Sequence, residues 1–225
     1  LMGWFPSAVV VTGRRHTDGA LALLRQARAR GTPVIEIWDL PVAPIGHVVG
    51  FSNAAAVRLL VDHLVAKGCT KIAFIGGDAD RDTRGADRRA GFIAAMQAHG
   101  LEATRLIAAG APPISMREGA DAMAQLLATL PDTEAVICVS DLSAFGALSE
   151  CQRRGIAVPT QIAIAGFGDY EIGAVCVPSL TTINPHPREI GAQTAALILA
   201  VLDGRQTETA KIILPPVLVR RESSR

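Results

Sequence analysis

The sequence predicts an α/β fold built on parallel sheets, and two observations predict it. Short runs rich in valine, isoleucine and alanine alternate with longer stretches whose apolar residues recur at helical spacing. Such alternation calls for parallel strands joined by right-handed crossovers. Glycine follows five of the expected helices, at Gly31, Gly68, Gly100, Gly155 and Gly204. A residue free to take positive φ at each stop supports the register of the whole assignment.

Taken in order, Ser7 to Thr12 reads as a buried strand. Asp18 to Arg30 carries Leu21, Leu24 and Ala27 at helical spacing and ends at Gly31. Pro33 starts a strand over Val34 to Trp38. A loop with Pro41 and Pro44 leads to a strand from His47 to Phe51. Asn53 to Lys67 is an amphipathic helix, capped by Ser52 or Asn53 and closed by Gly68. Lys71 to Gly76 is a buried strand, and Arg84 to His99 a helix stopped at Gly100. A short strand near Arg105 to Ala108 precedes a proline-rich loop and a helix over Met116 to Thr129. Strand Glu134 to Val139 and helix Leu142 to Arg154 follow. Ile162 to Gly166 is small and apolar throughout, as a strand buried on both faces requires. It breaks at Gly166-Phe167-Gly168-Asp169, and a second strand runs from Leu180 to Asn184. Pro187 opens a helix that lasts to Leu202, in the first-turn position proline suits. Lys211 to Val219 is a last strand interrupted by Pro215-Pro216, hence an edge or a switch between sheets.

The 225 residues suffice for one large domain or two smaller lobes. A net charge of +1 implies no general affinity for polyanions. The apolar runs fall short of the roughly 20 residues that span a bilayer, so no membrane association is expected. Leu1-Met2-Gly3-Trp4-Phe5 lacks the basic start and cleavage site of a secretory signal. It reads as the interior of a longer, cytoplasmic chain. Cys69, Cys138, Cys151 and Cys176 are widely spaced and are expected to be free, mostly buried thiols.

Several chemistries lack their residues. Gly76-Gly77-Asp78 follows a strand, but no Gly-Lys-Ser/Thr follows it. Gly166-x-Gly168 lacks the third glycine of a dinucleotide site. The acidic Asp78, Asp80 and Asp82 oppose phosphate. There is no Gly-x-Ser-x-Gly elbow, and His16, His47, His63, His99 and His186 show no metal-ligand spacing. No catalytic set, metal or cofactor is therefore expected.

Polar residues at strand ends are more telling. Thr12, Trp38-Asp39, Ser140-Asp141 and Asp169 each lie where a strand gives way to a loop or helix. Open α/β sheets bind ligands at such carboxyl ends. Each has a plainer reading: Ser140 and Asp141 as helix caps, Asp39 and Asp169 as turn formers, Trp38 as core. Their coincidence on one side of several strands favours a cleft for a polar ligand. Arg81, Arg84, Arg88 and Arg89 mix with acidic residues as a solvated loop would. Arg88 is singled out, because one turn into its helix it can reach back to that cleft and clamp a carboxylate or a pair of hydroxyls.

These residues carry a family likeness. Gly50-Phe51-Ser52-Asn53-Ala54-Ala55, His63-Leu64, Lys71-Ile72-Ala73-Phe74-Ile75-Gly76-Gly77 and Arg88-Arg89-Ala90-Gly91-Phe92 resemble the lactose-repressor family of bacterial transcription regulators. So do Ser140-Asp141, Gly166-Phe167-Gly168-Asp169, Leu180-Thr181-Thr182-Ile183, Ile190-Gly191 and the tail Leu218-Val219-Arg220-Arg221-Glu222-Ser223. The likeness covers essentially the whole chain in order. Val34-Ile35-Glu36-Ile37-Trp38-Asp39 and Gly166 to Glu171 resemble the branch that senses gluconate and related sugar acids.

The resemblance implies a periplasmic-binding-protein-like fold of type I, two parallel-sheet lobes joined by a three-strand hinge. Residues 1–50 and 186–213 would form an incomplete N-terminal lobe, and 51–183 with 214–225 the C-terminal lobe. The family's helix-turn-helix module is absent, so operator DNA would be met only through that missing part. Arg88 matches the family's effector-binding arginine, and Trp38 and Thr12 match cleft-lining positions. Ser140 stands where many members have asparagine or aspartate, and Gly168 replaces an aspartate, leaving Asp169 beside it. The implied partners are a sugar acid or polyol effector and a second copy of the chain. Helix Leu142 to Arg154 and the apolar loop Glu171 to Val177 are the candidates for that contact. The rival expectations are a periplasmic solute-binding protein of a transporter and an α/β enzyme using Asp39, Asp141 and Asp169.

Overall fold

A computed structural model describes residues 6–77 and 82–224. The first half of the chain runs β1 (Val9–Thr12), α1 (Asp18–Ala29), β2 (Val34–Ile37), β3 (His47–Gly50), α2 (Asn53–Ala66), β4 (Ile72–Gly76), α3 (Thr83–Ala98) and β5 (Leu106–Ala108). Then come α4 (Met116–Thr129), β6 (Ala135–Cys138), α5 (Asp141–Arg153), β7 (Ala163–Ala165), α6 (Glu171–Val175), β8 (Thr182–Asn184), α7 (Pro187–Leu202), β9 (Lys211–Ile213) and β10 (Val217–Val219). These elements form two compact units: Leu1–Ser52 with His186–Pro215, and Asn53–Pro185 with Pro216–Arg225. The expected glycine stops hold, since Gly31, Gly68, Gly100, Gly155 and Gly204 all have positive φ.

The first unit is a parallel sheet in the order β1-β2-β3-β9. Its core is Val34, Ile35, Val48 and Val49, all essentially without exposed surface. Buried Glu36 accepts from the Ile45 and Gly46 amides and so fixes the turn into β3. Thr17 caps α1 by accepting from the Ala20 amide. β1 is not the buried strand expected. Its residues alternate between half-buried and exposed, and Val10 is 46% exposed. It lies at the end of the strand order, and α1 buries none of its residues, so neither neighbour seals its outer side.

The second unit holds a parallel sheet in the order β5-β4-β6-β7. Every residue of β4, β6 and β7 is buried, as their continuous apolar runs require. Helices pack in pairs where glycine allows it. A Cβ on Gly91 of α3 would stand 2.5 Å from Ala54 of α2, and one on Gly146 of α5 would stand 1.9 Å from the Met116 carbonyl of α4.

Two expectations change here. Both four-stranded sheets are parallel as expected, but a two-stranded ribbon is added to them, in which β10 runs antiparallel to β8, pairing Leu218 with Ile183. The last expected strand is interrupted at Pro215-Pro216 as its prolines require, and the break is a switch between sheets. Its first half, β9, belongs to the first unit and its second half, β10, to the other. The stretch Glu171 to Val177 is also not wholly a loop, since α6 occupies its first five residues.

Candidate functional site

Arg88 is set by the packing of two helices. Asp82 starts α3 by accepting from the Gly85 amide at 2.8 Å. One turn beyond Arg88's level, Gly91 brings α3 against α2, whose first residue is Asn53. Arg88 Nε donates to Asn53 Oδ1 at 2.9 Å, and a terminal nitrogen donates to the Val139 carbonyl at 2.7 Å. The guanidinium carbon lies 3.6 Å from the centroid of the Phe167 ring. Val139 follows β6 directly and Phe167 follows β7 by one residue. The fork is therefore held in one plane at the carboxyl ends of two strands, half-buried, with cation–π support from below.

Ser140 and Asp141 divide the work expected of them as a pair. Ser140 caps α5 in a reciprocal exchange with Ser143, whose amide it accepts at 3.3 Å. It keeps partial exposure next to Val139. Asp141 has no exposed surface. Its carboxylate accepts from Thr182 Oγ1 at 2.6 Å and from the Tyr170 amide at 2.7 Å. Its carboxyl pKa is raised, chiefly by burial, and those two hydrogen bonds offset only part of the rise. A Cβ on Gly166 would fall 2.1 Å from Asp141 Oδ1, so glycine there is required by this contact. The expectation that Asp141 meets a ligand does not fit this geometry; it braces α5 against the Gly166–Tyr170 turn.

Asp169 lies in the left-handed region, with φ 53°. Arg221 donates to one carboxylate oxygen at 2.6 Å and Asn184 to the other at 2.8 Å. Its amide approaches Thr182 Oγ1 at 3.4 Å, which joins it to the Asp141 brace. The second unit thus brings Arg88, Ser140, Asp141 and Asp169 to the carboxyl edge of one sheet.

In the first unit, Thr12 ends β1 and is exposed, opposite Ile37 in the neighbouring strand. Trp38 follows at once, in the left-handed region at φ 76°. Its ring meets Phe51 edge-on, with centroids 6.4 Å apart. Asp39 is 3% exposed, with Arg14 Nε 4.0 Å from its carboxylate. A Cβ on Gly50 would stand 2.3 Å from the Asp39 carbonyl, so the β3 end and this turn touch backbone to backbone. Thr12, Trp38 and Asp39 share one sheet edge, and strain of this kind in a bulky residue gathers at ligand sites.

Asn53, Phe167, Asn184 and Arg221 complete the second unit's edge without having been singled out from the sequence. Phe167 stood inside the glycine turn, and Asn184 closed the second strand of the same stretch. Arg221 had no local signal, since its partner Asp169 is 52 residues away. Asp78, Asp80 and Arg81 lie outside the described residues, as does the apolar start at Leu1 to Phe5. Among the described residues no group of three His, Cys, Asp or Glu side chains is placed to hold a metal, and no helix is long and apolar enough to cross a membrane.

Comparison with known proteins gives this edge a family. Residues 61–224 match the Periplasmic binding protein-like domain. The HTH-type transcriptional regulator GntR of Pseudomonas aeruginosa is 33% identical over 223 residues, covering 99% of this chain and 64% of that protein. The chain thus spans less than two thirds of that relative's length. A LacI family transcriptional regulator from Silicibacter pomeroyi superposes with a TM-score of 0.89 at 43% identity, over 97% of this chain and 78% of that one. The transcription regulator GntR from Chromobacterium violaceum gives 0.88 at 35% identity, over 97% and 79%. The chain belongs to the Periplasmic binding protein-like domain family and, within it, to the LacI family of transcription regulators.

Proposed function

We propose that this chain is the effector-sensing domain of a repressor-type transcription regulator whose ligand is a small sugar acid or polyol. The observation that carries the reading is the Arg88 guanidinium, fixed by Asn53 and the Val139 carbonyl over the Phe167 ring at the strands' carboxyl ends. A pre-oriented fork is suited to a carboxylate, which a sugar acid supplies and a plain sugar does not. Ser140 offers a hydroxyl next to it, and Asp169, held by Arg221 and Asn184, retains lone pairs for a ligand hydroxyl. The likeness to the GntR regulators supports gluconate as the first ligand to try.

Calorimetric titration with gluconate tests the reading. Arg88→Ala is expected to weaken binding by roughly tenfold or more, the worth of one charge-assisted hydrogen bond. Undiminished affinity in that variant would remove Arg88 from the site.

In the whole protein the ligand would act by favouring one conformation of this domain over another, and so change how a DNA-reading module meets its operator. The sensing form would be a homodimer. Val175 and Val177 support a contact at α6 and the residue pair after it, being 66% and 76% exposed on a short apolar stretch. Sedimentation equilibrium checks this: Val175→Asp with Val177→Asp should shift the chain toward monomer.

A further inference from the structure

The first unit carries two cavities at the edge of its sheet opposite Trp38. One, of about 170 Å³, is lined by Arg28, Thr32, His47, Gln206, Thr209 and neighbouring backbone. The other, of about 480 Å³, is lined by Arg25, Arg28, Ala43, Pro44 and Ile45. They meet at Arg28. These residues come from α1 and the loop after it, the turn into β3 with that strand's first residue, and the connection from α7 to β9.

The electrostatics of this place are one-sided. Arg28 donates to the Ile45 carbonyl at 2.7 Å and to Thr209 Oγ1 at 2.8 Å. Both acceptors are neutral. Among the described residues, neither Arg28 nor Arg25 has a carboxylate within ion-pair distance. The buried carboxylate of β2, Glu36, is spent on the Ile45 and Gly46 amides, at 2.6 and 3.2 Å. Arg28 is thus a guanidinium oriented by neutral groups, with donors left over and no counter-charge.

His47 adds a donor of known polarity. Its Nδ1 accepts from the Ala210 amide at 3.1 Å, which leaves the ring proton on Nε2. Burial and the nearby Arg28 charge both lower the pKa of this ring. The second influence is what an uncompensated cation does to its neighbour. Thr32, Thr207 and Thr209 supply hydroxyls around the same cavity.

We propose that this cavity is a second binding site, for the phosphoryl group of a small phosphate-bearing molecule, distinct from the Arg88 edge. The oxyanion would lie against Arg28, with His47 Nε2 and the threonine hydroxyls as further donors. The larger cavity falls in the ~300–1,000 Å³ range of small-molecule sites and gives an organic portion room beside Arg25. The inference does not depend on the identity of the ligand at Arg88.

Calorimetry on the 225-residue chain, with inorganic phosphate and with glycerol 3-phosphate at ionic strength held by sodium chloride, provides the test. One saturable site per chain is expected. Arg28→Gln should weaken it by roughly tenfold or more, as loss of a charge-assisted contact does. Thr209→Val, which removes one of the groups orienting Arg28, should weaken it less. Arg88→Ala should leave it unchanged. Phosphate should also raise the titration midpoint of the His47 ring, followed by proton NMR. Tighter binding of glycerol 3-phosphate identifies an esterified phosphoryl group as the ligand, and equal binding identifies free phosphate. Absence of saturation at constant ionic strength, or loss of binding in Arg88→Ala with Arg28→Gln unaffected, overturns the site.

Discussion

At the level of single residues, neighbours in sequence take opposite roles because their surroundings differ. Ser140 and Asp141 both follow β6, yet Ser140 keeps some exposure while Asp141 keeps none. The buried carboxylate is tolerated because Thr182 and the Tyr170 amide satisfy it. Asp141→Ala would leave both donors without their acceptor, the Thr182 hydroxyl buried and the Tyr170 amide partly buried. We expect it to lower stability by about 3 kcal/mol or more, since each orphaned buried group costs ~1–3 kcal/mol. Asp141→Asn retains one acceptor and should cost less. Urea unfolding of the two variants measures the difference. Arg88 was legible in the sequence from its place near the start of a helix that follows a strand. The ring beneath it and the amide that orients it were not, because Phe167 and Asn53 reach it across 79 and 35 residues of chain, a separation no local pattern encodes.

At the level of elements, the second unit depends on close helix pairs. Gly146 of α5 faces the Met116 carbonyl and the Ala120 amide of α4. Alanine is the better helix former by ~1 kcal/mol, so on propensity alone Gly146→Ala should stabilise. The added methyl, however, would stand 1.9 Å from a backbone oxygen and 2.9 Å from a backbone nitrogen. Backbone cannot step aside as a side-chain tip can, and overpacking costs ~1–3 kcal/mol before the helices separate. The clash wins at this backbone-to-backbone contact, and a net loss of up to about 2 kcal/mol is expected from thermal or urea melts. Gly191 in α7 meets nothing within 4 Å, so Gly191→Ala is the control that should gain stability. Helix spans were legible because period and glycine stop agree at five of their ends, and strand spans because their apolar runs are short and continuous. α6 escaped notice because five residues are too few to show a helical period, and the antiparallel β8–β10 ribbon escaped it because direction is set by where the chain returns.

For the molecule as a whole, the C-terminal tail acts as a fastening. Ser224 Oγ lies 2.8 Å from His63 Nε2 on α2 and 2.7 Å from Thr181 Oγ1. Ser223 donates to the Ile164 carbonyl of β7 at 2.6 Å, and Arg221 holds Asp169. His63 has its pKa lowered, first by burial and then by Arg220 and Lys67. The folded state therefore favours the neutral ring. Above the unfolded value of about 6.5 both states are neutral and the contribution is fully present. As pH falls below that value, the unfolded chain binds the proton first and stability declines until the lower, folded pKa is passed. His47 acts in the same direction. Stability should thus fall on acidification from about pH 6.5, ahead of the carboxylate range, and His63→Gln should flatten that part of the profile. Melting temperatures across pH 5 to 8 decide it.

Strand and helix spans, the glycine stops, the Pro215-Pro216 interruption and the candidacy of Arg88 all follow from local composition and period, which need no partner to be read. The partners of Asp141 and Asp169, the exposure of β1 and the one-sided charge around Arg28 depend on contacts between residues far apart in the chain. A sequence lists the groups available to such contacts, but burial and the pairing of charges exist only once the elements have packed.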